Sequence, residues 1–353
     1  MQVFQANDGA RLSKMHAQAG DTVQTIGTTD SSVTSSIANV SVCVVCCSTA
    51  SMPHDAVLAI ANAMKSIATV RTILLSETGC ESTEGLEVVV VPYGTKLSKI
   101  RRLANLVTTD LFCICDPDLT VDEDACRSVL NQSVTDIRAG KESVTFGIVD
   151  GRDDGTLLSR VIAVDKWWSH HVLRRFLWAM SIGITLPGQF LIISSGLLRS
   201  LEPTVDTYLD DLYLGWVAKQ RNLHVHRVPV IVGNEDPRSS WSSLLTQRCR
   251  WMRGLMCLFG HLYSYPSALV LLGIHFLVYH GLPIAAMIMI LFLCATNPLA
   301  GFCVFFGIAA IMSRLSGQSY YANVVFLGVF PILHVFATLL WWAPVSRTTL
   351  TRR

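Results

Sequence analysis

The sequence predicts an α/β fold, a doubly wound and mostly parallel sheet, followed by an α-helical transmembrane region. Three observations predict it. From Val40 to Val232, short apolar runs alternate with helical stretches, the pattern of strands joined through helices. Leu111–Cys115 is an unbroken apolar run that stops at Asp116-Pro117-Asp118, as a strand buried on both faces does before its loop. The roughly hundred residues after Gly254 carry few charges and contain runs long enough to cross a bilayer.

Taken in order, residues 1–39 are rich in Ser, Thr, Gln, Gly and Ala without a sustained apolar period, and read as a disordered tail holding neither signal peptide nor span. Val40–Cys47 reads as a strand and Pro53–Val70 as a helix, with Ala56, Ile60, Ala63, Met64 and Ile67 on one side. Thr72–Leu75 and Leu86–Val91 are strands, Lys99–Val107 is a helix, and Leu111–Cys115 is the strand before the aspartates. Asp122–Arg138 is a helix with acids at its start, where the macrodipole favours them. Ser143–Val149 is a strand and Leu157–Met180 a long helical region holding Trp167, Trp168, His170, His171 and Trp178, which either line a groove or pack a helix onto the sheet. Gly188–Ser195 and Leu223–Val232 are strands, and Gly196 turns the chain.

Composition narrows the function. The 353 residues are 51% hydrophobic and 15% charged with mean hydropathy +0.43, so one catalytic domain (40–254) plus a membrane region (255–346) and a basic tail (347–353) is expected. A net charge of +2 gives no electrostatic case for nucleic acid. No Gly-x-Gly-x-x-Gly follows the first strand, which argues against a dinucleotide enzyme. Most of the eleven cysteines fall in apolar segments, where Cys acts as a small hydrophobe. Cys43-x-x-Cys46 lacks a second pair for zinc.

Three clusters carry chemistry. Asp116 and Asp118, leaving a buried strand, can share a divalent cation and hold a diphosphate against it; a solvated turn is the plainer alternative. Asp210 and Asp211 precede Leu212, Leu214, Val217 and Ala218 and stand at a helix N-terminus, where the macrodipole is expected to keep them ionised as a general base requires. In Trp241–Gly254 helical spacing puts Gln247, Arg250, Trp251 and Gly254 on one face. A guanidinium there can neutralise a diphosphate and an indole can stack on a sugar, or the helix can rest on anionic lipid headgroups.

In this order, and ahead of membrane spans, Asp116-Pro117-Asp118, Asp210-Asp211 and Gln247-Arg248-Cys249-Arg250-Trp251 resemble the membrane-bound branch of family 2 glycosyltransferases. That branch carries a Gln-x-x-Arg-Trp motif and includes hyaluronan, chitin and cellulose synthases and ceramide glucosyltransferases. Ser98-Lys99-Ile100-Arg101-Arg102-Leu103-Ala104-Asn105 resembles the family's helix before the metal loop. The resemblance implies a GT-A fold and a nucleotide-sugar donor, with UDP the expected nucleotide. It also implies a glycan or lipid acceptor, contact with membrane lipids and a Mg2+ or Mn2+ ion. It places Asp116 at the nucleoside, Asp118 and Asp116 at the metal, Asp211 as base with Asp210 where the family has Glu, Lys99 facing the nucleotide, and Gln247, Arg250 and Trp251 at the diphosphate and acceptor. The family's Asp-rich loop after the second strand is replaced by Ser76-Glu77-Thr78-Gly79, so Glu77 takes the place of an Asp. This departure also leaves room for a transporter or scaffold with a degenerate nucleotide-binding domain.

Leu255–Tyr265 is expected along the bilayer surface. Ser267–Thr296, Leu299–Met312 and Tyr321–Ala343 are the apolar runs, the last flanked by Tyr320, Trp341 and Trp342. Three crossings would separate Arg347, Arg352 and Arg353 from a cytosolic catalytic domain, while splitting the first run at Pro283 would reunite them. The lack of an N-terminal span, which many polymer synthases have, favours a lipid acceptor over a polysaccharide.

Overall fold

The computed structural model describes residues 40–47, 55–76, 85–91, 94–202 and 205–341. Both predicted tails and Glu77 lie outside the described residues. The described residues before α8 form a single eight-stranded sheet of order β3-β2-β1-β4-β7-β6-β8-β5. Its strands are β1 (Ser41–Cys47), β2 (Thr69–Ser76), β3 (Glu87–Val90), β4 (Leu111–Cys115), β5 (Leu119–Val121), β6 (Ser143–Gly151), β7 (Phe190–Ser194) and β8 (His224–Glu235). Pairings β2–β3, β1–β2, β1–β4 and β6–β8 are parallel, and β7 runs antiparallel to both β4 and β6.

The central strands β1, β4 and β7 are apolar and buried along nearly their whole length because helices cover both faces there. Along β1 and β4, Cys43, Val45, Phe112 and Ile114 face one core, while Val44, Cys46, Leu111 and Cys113 face the other. The second core is closed by α1 (Asp55–Met64) and α3 (Glu123–Arg138). The first is closed by α2 (Lys96–Leu106), α6 (Ser195–Arg199), α7 (Asp210–Gln220) and α8 (Trp241–His261). Between β6 and β7 the chain forms α4 (Leu157–Trp167), a π-helical segment (Trp168–Leu173) and α5 (Arg174–Ala179). Because Phe190 pairs with Cys115, β7 begins at the carboxyl edge of β4. This helical excursion therefore stays at that edge instead of crossing back, which is why β7 runs against the parallel rule. It also leaves Gly188 and Gln189 beside the Asp116 loop.

Four boundaries differ from the sequence reading. The helix expected over 53–70 stops at Met64, and β-branched Thr69 and Val70 belong to β2. The helix expected from Lys99 starts at Lys96, where the side chain of Thr95 caps it by accepting from the Ser98 N–H. Gly196 lies inside α6 and turns nothing. Leu255–His261 is the end of α8 rather than a separate surface helix, since no breaker interrupts it and a side chain at Gly260 would meet open space.

Among the described residues, three helices are long and apolar enough to cross a membrane: Pro266–Thr296, Pro298–Ser316 and Tyr320–Leu340. The first comprises α9 (Pro266–Phe276), a π-helical turn (Leu277–Gly281) and α10 (Leu282–Thr296), so Pro283 does not split it into two crossings. Pro283 sits where a freshly started α-helical stretch tolerates proline. α11 (Pro298–Ser316) ends at the left-handed Gly317, and α12 (Tyr320–Leu340) follows. Leu158, Val161 and Val164 of α4 share a core with Leu244 of α8 and Phe330 and Leu333 of α12, joining the sheet-bearing part to the long apolar helices.

Candidate active site

The strand ends on which the chemistry depends gather at the carboxyl edge of the sheet, where open α/β sheets bind ligands. Asp116 follows β4, and its N–H is held by the Gln189 carbonyl at 2.9 Å. The Asp118 carbonyl accepts from the Asp236 N–H at 2.9 Å, fixing the loop to the end of β8. Asp210 and Asp211 occupy the first turn of α7, and α8 runs past them. The result is a cleft of about 200 Å³ bordered by Lys99, Asp116, Asp118, Asp210, Asp211, Gln247, Arg250 and Trp251. Every site residue predicted from the sequence borders it except Glu77, which falls outside the described residues.

The macrodipole does not set the ionisation of Asp210 and Asp211 here, since both carboxyls are raised above the ordinary carboxylate value. Burial, and then the neighbouring Asp210 carboxylate, push Asp211 up to about 7. Burial raises Asp210 as well, against the pull of Lys96. Desolvation of a nearly enclosed carboxylate outweighs one helix dipole. Gly188 makes room for this arrangement: a Cβ there would sit 3.3 Å from Asp211 Cβ.

Lys96 is a site residue the sequence reading missed. Its Nζ donates to Asp116 Oδ1 at 2.6 Å and to the Gly188 carbonyl at 2.6 Å, and stands 3.9 Å from Asp210 Oδ2. Burial alone would lower its pKa, but Asp116 and Asp210 hold it raised. A threonine cap followed by lysines three residues apart was the available signal, since Lys96 and Lys99 share a helix face. A second missed group surrounds Asp118. Burial, Glu235 and Asp116 push its carboxyl up to about 7, while Arg238 Nη1 lies 3.8 Å away and opposes them. Glu235 in turn bonds Lys166 and accepts from Arg238 at 3.1 Å. Burial pushes Glu235 upward, but these two cations hold it below the ordinary value.

On α8, Gln247, Arg250 and Trp251 face the cleft as the helical spacing predicts. With its amide oxygen turned toward it, Gln247 accepts from Arg238 at 2.8 Å. Arg250 carries a buried Nε without a partner among the described residues, and burial, then Arg238, lower its pKa. Gly254, expected on the same face, instead packs against Leu209: a Cβ would meet its backbone N at 3.1 Å. Arg248 points the other way. It donates to Asp165 at 2.5 Å and lies 4.3 Å over the Trp251 ring, holding that indole at the cleft wall. Among the described residues, no group of three or more His, Cys, Asp or Glu is placed to hold a cation unaided. Asp116 and Asp118 offer hard oxygen donors suited to an ion whose remaining ligands are phosphates and water.

No protein-family model matches the chain, and no curated protein sequence matches it. Among solved structures, it is similar to mannosyltransferase PcManGT from Pyrobaculum calidifontis in complex with GDP-Man and Mn2+, at 14% identity and TM-score 0.49, over 82% of this chain and 86% of that one. It is also similar to glucosyl-3-phosphoglycerate synthase from Mycobacterium tuberculosis in complex with Mn2+, UDP and glucosyl-3-phosphoglycerate, at 15% identity and TM-score 0.43, over 63% of this chain and 79% of that one. At such identities the likeness is one of overall chain path.

Proposed function

We propose that this chain is a membrane-bound, inverting glycosyltransferase of the family 2 branch with a Gln-x-x-Arg-Trp motif, its catalytic domain facing the cytosol. It transfers a sugar from a nucleotide sugar, a UDP-sugar first, to a hydroxyl of a glycan or lipid. The observation that carries this reading is the convergence of Asp116, Asp118, Asp211, Arg250 and Trp251 on one cleft.

Asp116, held by Lys96, faces the nucleoside together with Lys99. Arg250, whose Nε has no partner among the described residues, faces the diphosphate with Gln247. A Mg2+ or Mn2+ ion at Asp118 and Asp116 would neutralise charge on the leaving diphosphate. Trp251 offers its ring to a sugar. Asp211 takes the proton of the acceptor hydroxyl, whose oxygen bonds to the anomeric carbon. The bond from that carbon to the diphosphate breaks with its electron pair on the departing nucleotide. A single base behind the acceptor gives displacement from one side and inversion, and no acid is needed for a diphosphate leaving group.

The test is a panel of UDP- and GDP-sugars with Mn2+, read as released nucleoside diphosphate. Release with at least one donor is expected, with Asp211→Asn abolishing transfer but keeping donor binding. No release with any donor, or unimpaired turnover in that variant, would falsify the reading.

A further inference from the structure

The donor cleft is not the only space that Asp211 borders. Asp211, Gln189, Leu209 and Trp251 also border a second cavity of about 470 Å³, which runs between the catalytic part and the membrane helices. Resting on the proposed glycosyl transfer, we infer that this chamber is the acceptor site and that the acceptor is a hydroxyl-bearing membrane lipid. Its hydroxyl meets Asp211 and its hydrocarbon lies among α10, α11 and α12.

The walls change character along the chamber's length. Near Asp211 they are polar: Arg174 is 6% exposed, and its Nη1 lies 3.1 Å from His170 Nδ1. Two buried groups there, Arg174 Nε and Tyr279 Oη, lack a protein partner among the described residues. An unmet buried donor is costly unless something else satisfies it, so this end is fitted to a polar headgroup. Farther in, α10 and α11 supply Ala286, Met287, Ile290 and Ile308, all apolar, while the polar atoms of His334 on α12 are turned to His280, Nδ1 to Nδ1 at 2.9 Å. A growing glycan carries hydroxyls on every ring, and burying them against such walls would leave them unpaired. A hydrocarbon chain coming from the bilayer meets walls as apolar as the lipid it leaves and has no polar group to strand.

The chamber also reaches the flank of the helices. Leu282, Ile311 and Leu315 border it, yet they are 53%, 62% and 61% exposed, so they form its rim on the surface that a bilayer would cover. A lipid can therefore enter sideways without leaving the membrane. Both π-helical segments among the described residues border this one space: His170 and Leu173 come from the first, Tyr279 and His280 from the second. Such segments recur at functional sites because they re-aim side chains within a helix. In the reaction the lipid oxygen forms the glycosidic bond, its proton passes to Asp211, and the nucleoside diphosphate leaves with the electron pair of the broken bond.

The full chain is placed in phosphatidylcholine nanodiscs carrying ceramide, diacylglycerol or a sterol, with Mn2+ and a labelled donor. The expected result is label in the organic extract with at least one of the three. Met287→Trp on α10 and Ile308→Trp on α11, both partly buried, fill the chamber away from Asp211. Each should cut lipid transfer roughly tenfold or more. Donor hydrolysis and Mn2+-dependent nucleoside diphosphate binding should remain, which also shows that the variants are folded. Label found only in polymer or free sugar, or undiminished lipid transfer in both variants, would overturn the lipid assignment. No diphosphate release by the unmodified chain would instead overturn glycosyl transfer itself, and the assignment with it.

Discussion

The pH dependence of transfer should follow Asp211. Burial and Asp210 raise this carboxyl to about 7. A carboxylate with a raised pKa is the protonated, inactive acid below that value and the competent base above it. With Asp118, which is raised to a similar value, taken up by saturating Mn2+, Asp211 alone sets the limb: kcat/KM should fall about tenfold per pH unit below 7, leaving about 1% of the plateau near pH 5. Above pH 8 about nine-tenths of the molecules carry the base, and the profile should be flat. The assay is initial-rate transfer at saturating Mn2+ across this range, with donor binding measured in parallel. Asp211→Asn should lower kcat by about a hundredfold or more and abolish the acid limb, since the residual rate no longer waits on a proton. A profile unchanged between the two forms, or a limb near the ordinary carboxylate value, would refute the assignment.

Lys96→Met removes the 2.6 Å partner of Asp116 and should weaken donor affinity by roughly tenfold to a hundredfold, read by titration with the nucleotide sugar. Gly215→Ala drives a Cβ to 1.8 Å from the Ile184 carbonyl oxygen, so α7 must shift; a loss of roughly 1–3 kcal/mol in stability and a lower melting temperature are expected. Arg248→Ala strands Asp165 and frees the Trp251 ring, and should destabilise the chain by about 3 kcal/mol. Arg248→Lys keeps the charge but not the planar stack, and should recover stability while acceptor KM stays raised.

Much of this was legible in the chain because its signals are local. The apolar run Leu111–Cys115 ending at Asp116 fixed a strand and its loop, and the spacing of Gln247, Arg250 and Trp251 fixed one helix face. The reversal of β7 was not legible. It depends on where the excursion 157–188 travels, and an alternation of strands and helices is silent on that. The cluster of Lys166, Glu235 and Arg238 around Asp118 is assembled across large sequence separations, so no motif announces it. Lys96 was within reach, three residues before the lysine that the resemblance favoured. The upward shift of Asp210 and Asp211 was not legible, because a helix start is visible in sequence while the depth of burial is not. The chamber is a property of packing between distant helices, and only its apolar wall could be read from composition.

Calorimetric titration of UDP and GDP into the detergent-solubilised chain, with and without Mn2+, bears most directly on the cleft as a nucleotide site. Saturable binding that requires Mn2+ and disappears in Asp118→Asn is the predicted result. Equal binding without the ion, or in that variant, would contradict it.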